Sequence, residues 1–328
     1  LSQRNAENIR IVKSNYIKEI ESKLLLFPEK SFELLKNKNN SQDQGHTLTQ
    51  SDHYQISAKN LETLIYDRPA FFTQNITIKN KNQKIAFEQV EIHSTDFHVT
   101  SSDGIINYPD TKNSIFYRGY IVGDVKSWAT LSVYNTTLQY MIATDEGNFE
   151  ILPDKNGNYK GNFYKNEDKS HECINIDGVS APDQPVKIQH NGGLRTGNCL
   201  QVYMEVDRFT YLQFGDITST TNWVNALFLN VSTIYALHDV PLVLSQVNIW
   251  NTVQDPYAAL NDISSVRDQF VNTLQNNYTG RIAHLLTTRP LGGGISNGIG
   301  GICNSYPSYP GPQCVSTGLS SINTIQQN

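Results

Sequence analysis

Residues 284–306 read HLLTTRPLGGGISNGIGGICNSY: a short apolar strand, a proline, a run of glycines, then a second apolar stretch ending at Cys303. Gly292, Gly293, Gly294, Gly298 and Gly300 lie along one crossing between two strand-like runs. Glycine adopts backbone angles closed to other residues, so a run of this kind marks a sharp change of direction. A phosphate cradle is excluded, because the Walker pattern needs G-K-S/T at the mouth of a helix and LGGGISNGIGG holds no lysine. The dinucleotide fingerprint places its glycines after the first strand of a βαβ unit, whereas these follow the third. Ser316 is outside the G-x-S-x-G frame of a serine hydrolase, and Ser296, although Gly294-Ile295-Ser296-Asn297-Gly298 has its letters, is followed by a strand-like run rather than the helix that the nucleophile elbow needs.

Upstream of the crossing the rhythm is that of an α/β sheet. LQVYMEV (200–206) alternates as a strand, and Val224, Leu227, Phe228, Val231, Ile234 and Tyr235 fall at helical spacing. PLVLSQVNIW (241–250) is a nearly continuous apolar strand. Ile263, Val266, Phe270, Val271 and Leu274 mark a second helix, and RIAHLL (281–286) a third strand. Strand, helix, strand, helix, strand implies a mostly parallel sheet with crossover helices.

The N-terminal half reads differently. Apolar residues at helix-like spacing run through residues 7–36, interrupted by Pro28, and a polar stretch follows. From about Tyr54 to Tyr164, short alternating runs separated by turn residues (ITIKN, KIAFEQVEIH, SIFYRGYIV, WATLSVY, LQYMIA, NFEIL) predict six or so antiparallel strands. Asp145-Glu146-Gly147-Asn148 and Asp154-Lys155-Asn156-Gly157 have the chemistry of hairpin turns. Apolar density drops between Lys165 and Arg195. The expected organisation is therefore α+β: a β-rich domain over 1–168 with an N-terminal helix, a linker over 169–196, and an α/β domain over 197–328.

Composition narrows the partners. The 328 residues carry a formal net charge of -5 with no block of like charges, so nucleic acid is excluded as a partner. No apolar run approaches the roughly 20 residues that span a bilayer, and the chain reads as soluble. The N-terminus LSQRNAENIR is not a secretory leader and does not begin with Met, which suggests a trimmed chain. A polar, Asn- and Tyr-rich composition points to export. So do four cysteines that can pair as Cys173 with Cys199 and Cys303 with Cys314; the alternative is four free thiols in a reducing compartment. None of the eight histidines forms an H-E-x-x-H pair, and the lone His171-Glu172 dipeptide lies in the linker. His284, mid-strand, reads as a hydrogen-bonded core residue.

The segments CLQVYMEVDRFTYLQFG, WVNALFLNVSTIYALHDVPLVLSQVNIWN, SSVRDQFVNTL, AHLLTTRPLGGGISNGIGGICNSY and CVSTGLSSIN, in that order over 199–328, resemble the N-terminal part of the catalytic domain of reprolysin (adamalysin)-like metzincin zinc endopeptidases. FYRGYIVGDVKSWATLSVYNTTLQYMIATDEGNFEIL resembles the β-rich propeptide that precedes such domains. The resemblance implies a secreted or cell-surface zymogen with a truncated metzincin-like sheet and a protein or peptide substrate. It also makes the rest of the catalytic domain a partner. Gly298, Ile299, Gly300, Gly301 and Ile302 become the edge strand to which substrate adds as an extra strand. Zinc is expected on a histidine motif beyond Asn328, where it would generate the attacking hydroxide, so the chain as given is expected to be inactive alone. Calcium is not carried over, since Gln201 and Arg289-Pro290 stand where calcium-binding members place carboxylates. Cys173 has two readings, an inhibitory propeptide thiol or a disulfide partner of Cys199. Cys303 holds the place of a family cysteine, and Cys314 offers it a local partner. The competing functional readings are a metzincin-like pseudoenzyme and a β-rich accessory subunit of a secreted assembly.

Overall fold

The computed structural model describes residues 17–23, 30–37, 52–79, 81–107, 114–134, 137–154, 156–165, 200–274, 278–296 and 313–316. They form a mixed α and β molecule with two sheets. The larger sheet has ten strands in the order β1-β4-β5-β8-β9-β10-β11-β12-β3-β2. Its central strands are β4 (Phe71–Ile78), β5 (Lys81–Val90), β8 (Ser114–Ile121), β9 (Trp128–Tyr134), β10 (Thr137–Thr144), β11 (Gly147–Pro153) and β12 (Tyr159–Lys165). They pair antiparallel, as the alternating runs predict. Asp145 and Glu146 make the tight turn between β10 and β11, and Gly147 takes the positive φ of 150° that the turn needs.

The two ends of this sheet are joined by the chain itself. β1 (Ser31–Phe32) lies on β4, and two residues later β2 (Leu35–Asn37) lies on β3 (Asp52–Ile56). The sheet therefore curls into a barrel, with Glu33 and Leu34 bridging its seam, and the Tyr54 hydroxyl donates across that seam to the Thr77 carbonyl at 2.7 Å. The interior is filled: Phe72 meets Tyr117 edge-on at 4.9 Å and stacks on Phe87 at 5.2 Å, while helix α2 (Ala58–Asp67) adds Leu61 and Leu64 to the same core. Helical spacing over 7–36 holds only in part. Residues 17–23 are helical (α1), with Ile17 and Ile20 packed on Ala86 and Tyr120, but Phe32 and Leu35 are in strands. Pairing with β4 and β3 satisfies the backbone there and overrides the local period.

The second sheet has seven strands in the order β16-β17-β15-β13-β14-β6-β7. β13 (Leu200–Val206), β14 (Leu242–Ile249), β15 (Ile282–Leu286) and β17 (Gln313–Ser316) are mutually parallel, and β16 (Gly294–Ser296) runs antiparallel to β17 at the end of the order. Helix α3 (Arg208–Phe214) is capped by Asp207, whose carboxylate accepts from Thr210 N. Helix α4 (Ile217–Ala236) buries Val224, Phe228 and Leu229 against Val202, Met204 and Leu244. Ile234 and Tyr235, expected on its apolar stripe, are exposed. Helix α5 (Ile263–Leu274) buries Val266, Phe270 and Leu274 with Tyr203, Leu285 and Val315. Consecutive residues of β13 thus face different helices, Val202 and Met204 toward α4 and Tyr203 toward α5, so both faces of the strand are covered.

The sequence reading did not foresee two strands of this sheet. β6 (His93–Ser101) and β7 (Ile106–Asn107) come from the N-terminal half, and β6 adds parallel to β14. The boundaries expected at 168 and 197 fall within 166–199, outside the described residues.

Candidate functional site

The carboxyl ends of β13 and β15 carry the most densely bonded polar groups of the C-terminal sheet. Asp207, fully buried after β13, accepts from Thr210 N at 2.9 Å, from the Thr287 hydroxyl at 2.6 Å and from Arg289 Nε at 2.9 Å. Arg289 Nη1 donates onward to the carbonyls of Tyr257 and Leu260 at 3.1 and 2.9 Å. Asp255 accepts from Arg208 N and Tyr257 N, and burial holds its carboxyl above the usual range. A buried ion pair with every carboxylate oxygen bonded fixes geometry more than it adds net stability. What it fixes here is the segment TTRP (287–290), from which the glycine crossing departs. Gly292 and Gly293 follow at φ 93° and 80°, angles that β-carbons oppose, and they turn the chain back into the antiparallel β16. Arg289-Pro290, which stands where a calcium carboxylate was absent, is thus the anchor of the crossing.

One face of the strands beyond the crossing gathers the reactive side chains. Met204, His284, Cys314 and Ser296 are neighbours across β13, β15, β17 and β16, and Ser316 lies two residues along from Cys314. His284 Nε2 is 2.8 Å from the Ser316 hydroxyl. Burial lowers the imidazole to about 4, so it is neutral at physiological pH, and burial pushes the Cys314 thiol up, so it stays protonated. A protonated thiol is a poor nucleophile, and among the described residues no carboxylate orients the imidazole. This row is not a nucleophile-and-base constellation. On the opposite face, the buried Glu205 carboxylate accepts from Trp250 Nε1 at 2.5 Å, from the Tyr257 hydroxyl at 2.6 Å and from the Tyr203 hydroxyl. Burial raises its pKa despite these donors. Each of these partners is a donor, so Glu205 is a packing hub between β13, β14 and the loop before α5.

Among the described residues no group of three His, Cys, Asp or Glu side chains could hold a metal ion. His284 brings one imidazole, beside a thiol and a hydroxyl. The described residues therefore do not fit a zinc site. Of the residues singled out from sequence, Gly298, Ile299, Gly300, Gly301, Ile302, Cys303, Cys173 and Cys199 lie outside the described residues. The strand seen beside β17 is Gly294–Ser296, with Gly294 exposed and Ile295 and Ser296 half-buried. Cys314 is a free thiol, and Cys303, its possible disulfide partner, lies outside the described residues. Sequence reasoning missed Asp207, Glu205 and Asp255. Only Asp207 carried a usable signal, as an N-cap aspartate before an apolar run.

No helix of the described residues is long and apolar enough to cross a membrane. No protein-family model matches the chain. Among solved structures it is similar to metalloproteinase-II from Bacteroides fragilis, with a TM-score of 0.46 and 10% sequence identity over 81% of this chain and 80% of that one. A likeness of that size carries neither a reaction nor site residues across.

Proposed function

We propose that the chain is part of a secreted, reprolysin-like zinc metalloendopeptidase zymogen, comprising a β-rich propeptide over 1–168 and the upper sheet of the catalytic domain over 197–328. The observation that supports this best is the end of the C-terminal sheet. Five parallel strands, β6, β14, β13, β15 and β17, are bordered beyond β17 by the antiparallel strand β16, reached through the glycine crossing and anchored by Asp207 and Arg289. An antiparallel end strand can take an extended peptide by main-chain hydrogen bonds, and glycines beside it let the peptide backbone come close. The co-ordered segments of 199–328 that resemble the metzincin catalytic domain support the same reading.

The H-E-x-x-H-x-x-G-x-x-H motif of this reading is not among the 328 residues. The deciding experiment reads the encoding gene past Asn328 and expresses the longer chain. Peptide hydrolysis that a chelator abolishes is the expected result, with no hydrolysis by the 328-residue chain alone. A gene that continues without the motif, or a longer chain that binds peptides and never cleaves them, overturns the protease reading.

A further inference from the structure

The hairpin β6–β7 belongs to the N-terminal half by sequence and to the C-terminal sheet by hydrogen bonding. Its register on β14 runs from His93 opposite Leu244 to Ser101 opposite Ile249. Backbone bonds close both ends, Leu244 N to the Ile92 carbonyl at 2.7 Å and Ser102 N to the Ile249 carbonyl at 3.0 Å. Side chains repeat the pairing: Thr100 donates to Asn248 Oδ1 at 2.8 Å, Ser102 to Asn251 Oδ1 at 2.9 Å, and Asn251 Nδ2 to Asp103 at 2.7 Å. At the other end His93 Nε2 sits 3.0 Å from Asn225 Oδ1 of α4, both buried, with the imidazole stacked on Phe97 at 3.9 Å.

A second surface makes the grip two-sided. Outward residues of the barrel wall bear on α4: Thr130 bonds Asn230 at 2.5 Å and the Tyr134 hydroxyl donates to the Asn222 carbonyl at 2.8 Å. Ile92, Phe97, Val99, Phe116 and Tyr134 share one apolar cluster with Val202, Trp223, Phe228 and Leu244. Withdrawing the N-terminal half would strip β14 of its ladder on one side and open that cluster to water, and both changes are costly.

We infer that strand β6 makes the N-terminal half a seated subunit of the C-terminal half, so that scission of the segment between them leaves the two associated. Linker cleavage alone is then not a release step. Release requires a second event that unseats β6 from β14. This holds whatever chemistry the C-terminal half performs, so its failure and that of the protease reading are separate.

The test inserts a site-specific protease sequence between Ser180 and Ala181 of the full chain, cuts it to completion and measures native mass by light scattering. Reducing buffer keeps any disulfide from linking the pieces. One species near the intact mass of 36.9 kDa is expected, with two bands on a denaturing gel. Separation into two species overturns the inference. Val99→Asp, which places a carboxylate at a position 1% exposed in β6, should make the cut chain fall apart, while Tyr66→Ser, at a position 90% exposed on α2, should not. A cut Val99→Asp chain that resists urea as well as the unmodified one overturns the role of β6. Should Val99→Asp fail to fold uncut, the milder Thr100→Ala/Ser102→Ala pair replaces it. Its halves should part at lower urea than the unmodified ones, and an unchanged midpoint overturns the assignment.

Discussion

His284 stands in β15 with Nε2 on the Ser316 hydroxyl, and burial holds its imidazole at about 4 against an ordinary value of 6.5. Between those values the unfolded chain binds more protons than the folded one, so the contribution of His284 is complete above pH 6.5 and is lost as pH falls toward 4. His93, lowered by burial beneath α4, pushes in the same direction, and Glu205, raised by burial, pushes the opposite way above 4.5. His284→Gln removes one of these titrations while keeping a side chain that can bond Ser316. Urea midpoints taken from pH 7 to pH 4 should decline less steeply for this variant, by about 1–3 kcal/mol across the window. Parallel curves would mean that the imidazole is as easily protonated in the fold as out of it. His284 was legible in sequence because a lone polar residue inside RIAHLL has few other roles. Glu205 was not, since its donors Tyr257 and Trp250 are brought to it only by the sheet and the loop before α5.

At the scale of elements, alternation carried the reading where strands were long. SIFYRGYIV and WATLSVY put Ile115, Tyr117 and Val133 into the barrel and Phe116 and Tyr134 onto α4, so their period of two survives although both faces are covered. β1 and β2 were not legible, because two- and three-residue strands have no period, and α2 was missed inside a polar context. Their effect on the fold is out of proportion to their length. Leu34 is 0% exposed at the barrel seam, and its carbonyl accepts from Ser57 N at 2.8 Å. Leu34→Ala should therefore cost about 2–5 kcal/mol, the penalty of a core cavity rather than of a loop change. Urea denaturation of this variant checks the value, and a loss within about 0.5 kcal/mol, as for a surface substitution, would show that the strap does not close the barrel.

For the whole molecule, the drop in apolar density after Lys165 marks where the rhythm of the chain changes, but it says nothing of which sheet each strand joins. Of β6 only His93, the end of KIAFEQVEIH, lay in a predicted run, and its partner β14 lies more than 140 residues downstream, a pairing that no local pattern encodes. The candidate site was legible in the same limited way. The glycine crossing declared a reversal of direction, while the Asp207–Arg289 pair that anchors it joins residues 82 positions apart. The shared cluster around α4 has a thermodynamic consequence. With barrel wall, α4 and C-terminal sheet burying the same side chains, unfolding of either half opens this shared cluster of the other to water, so cooperativity should extend over both. Calorimetry of the intact chain should show one transition whose calorimetric and van't Hoff enthalpies agree, although the composition suggests two domains. Val99→Asp should move that single transition to lower temperature without splitting it, because the cluster it damages belongs to both halves. Two resolved transitions in the unmodified chain, only one of them shifted by the substitution, would show that the halves are independent folding units and that β6 merely rests on β14.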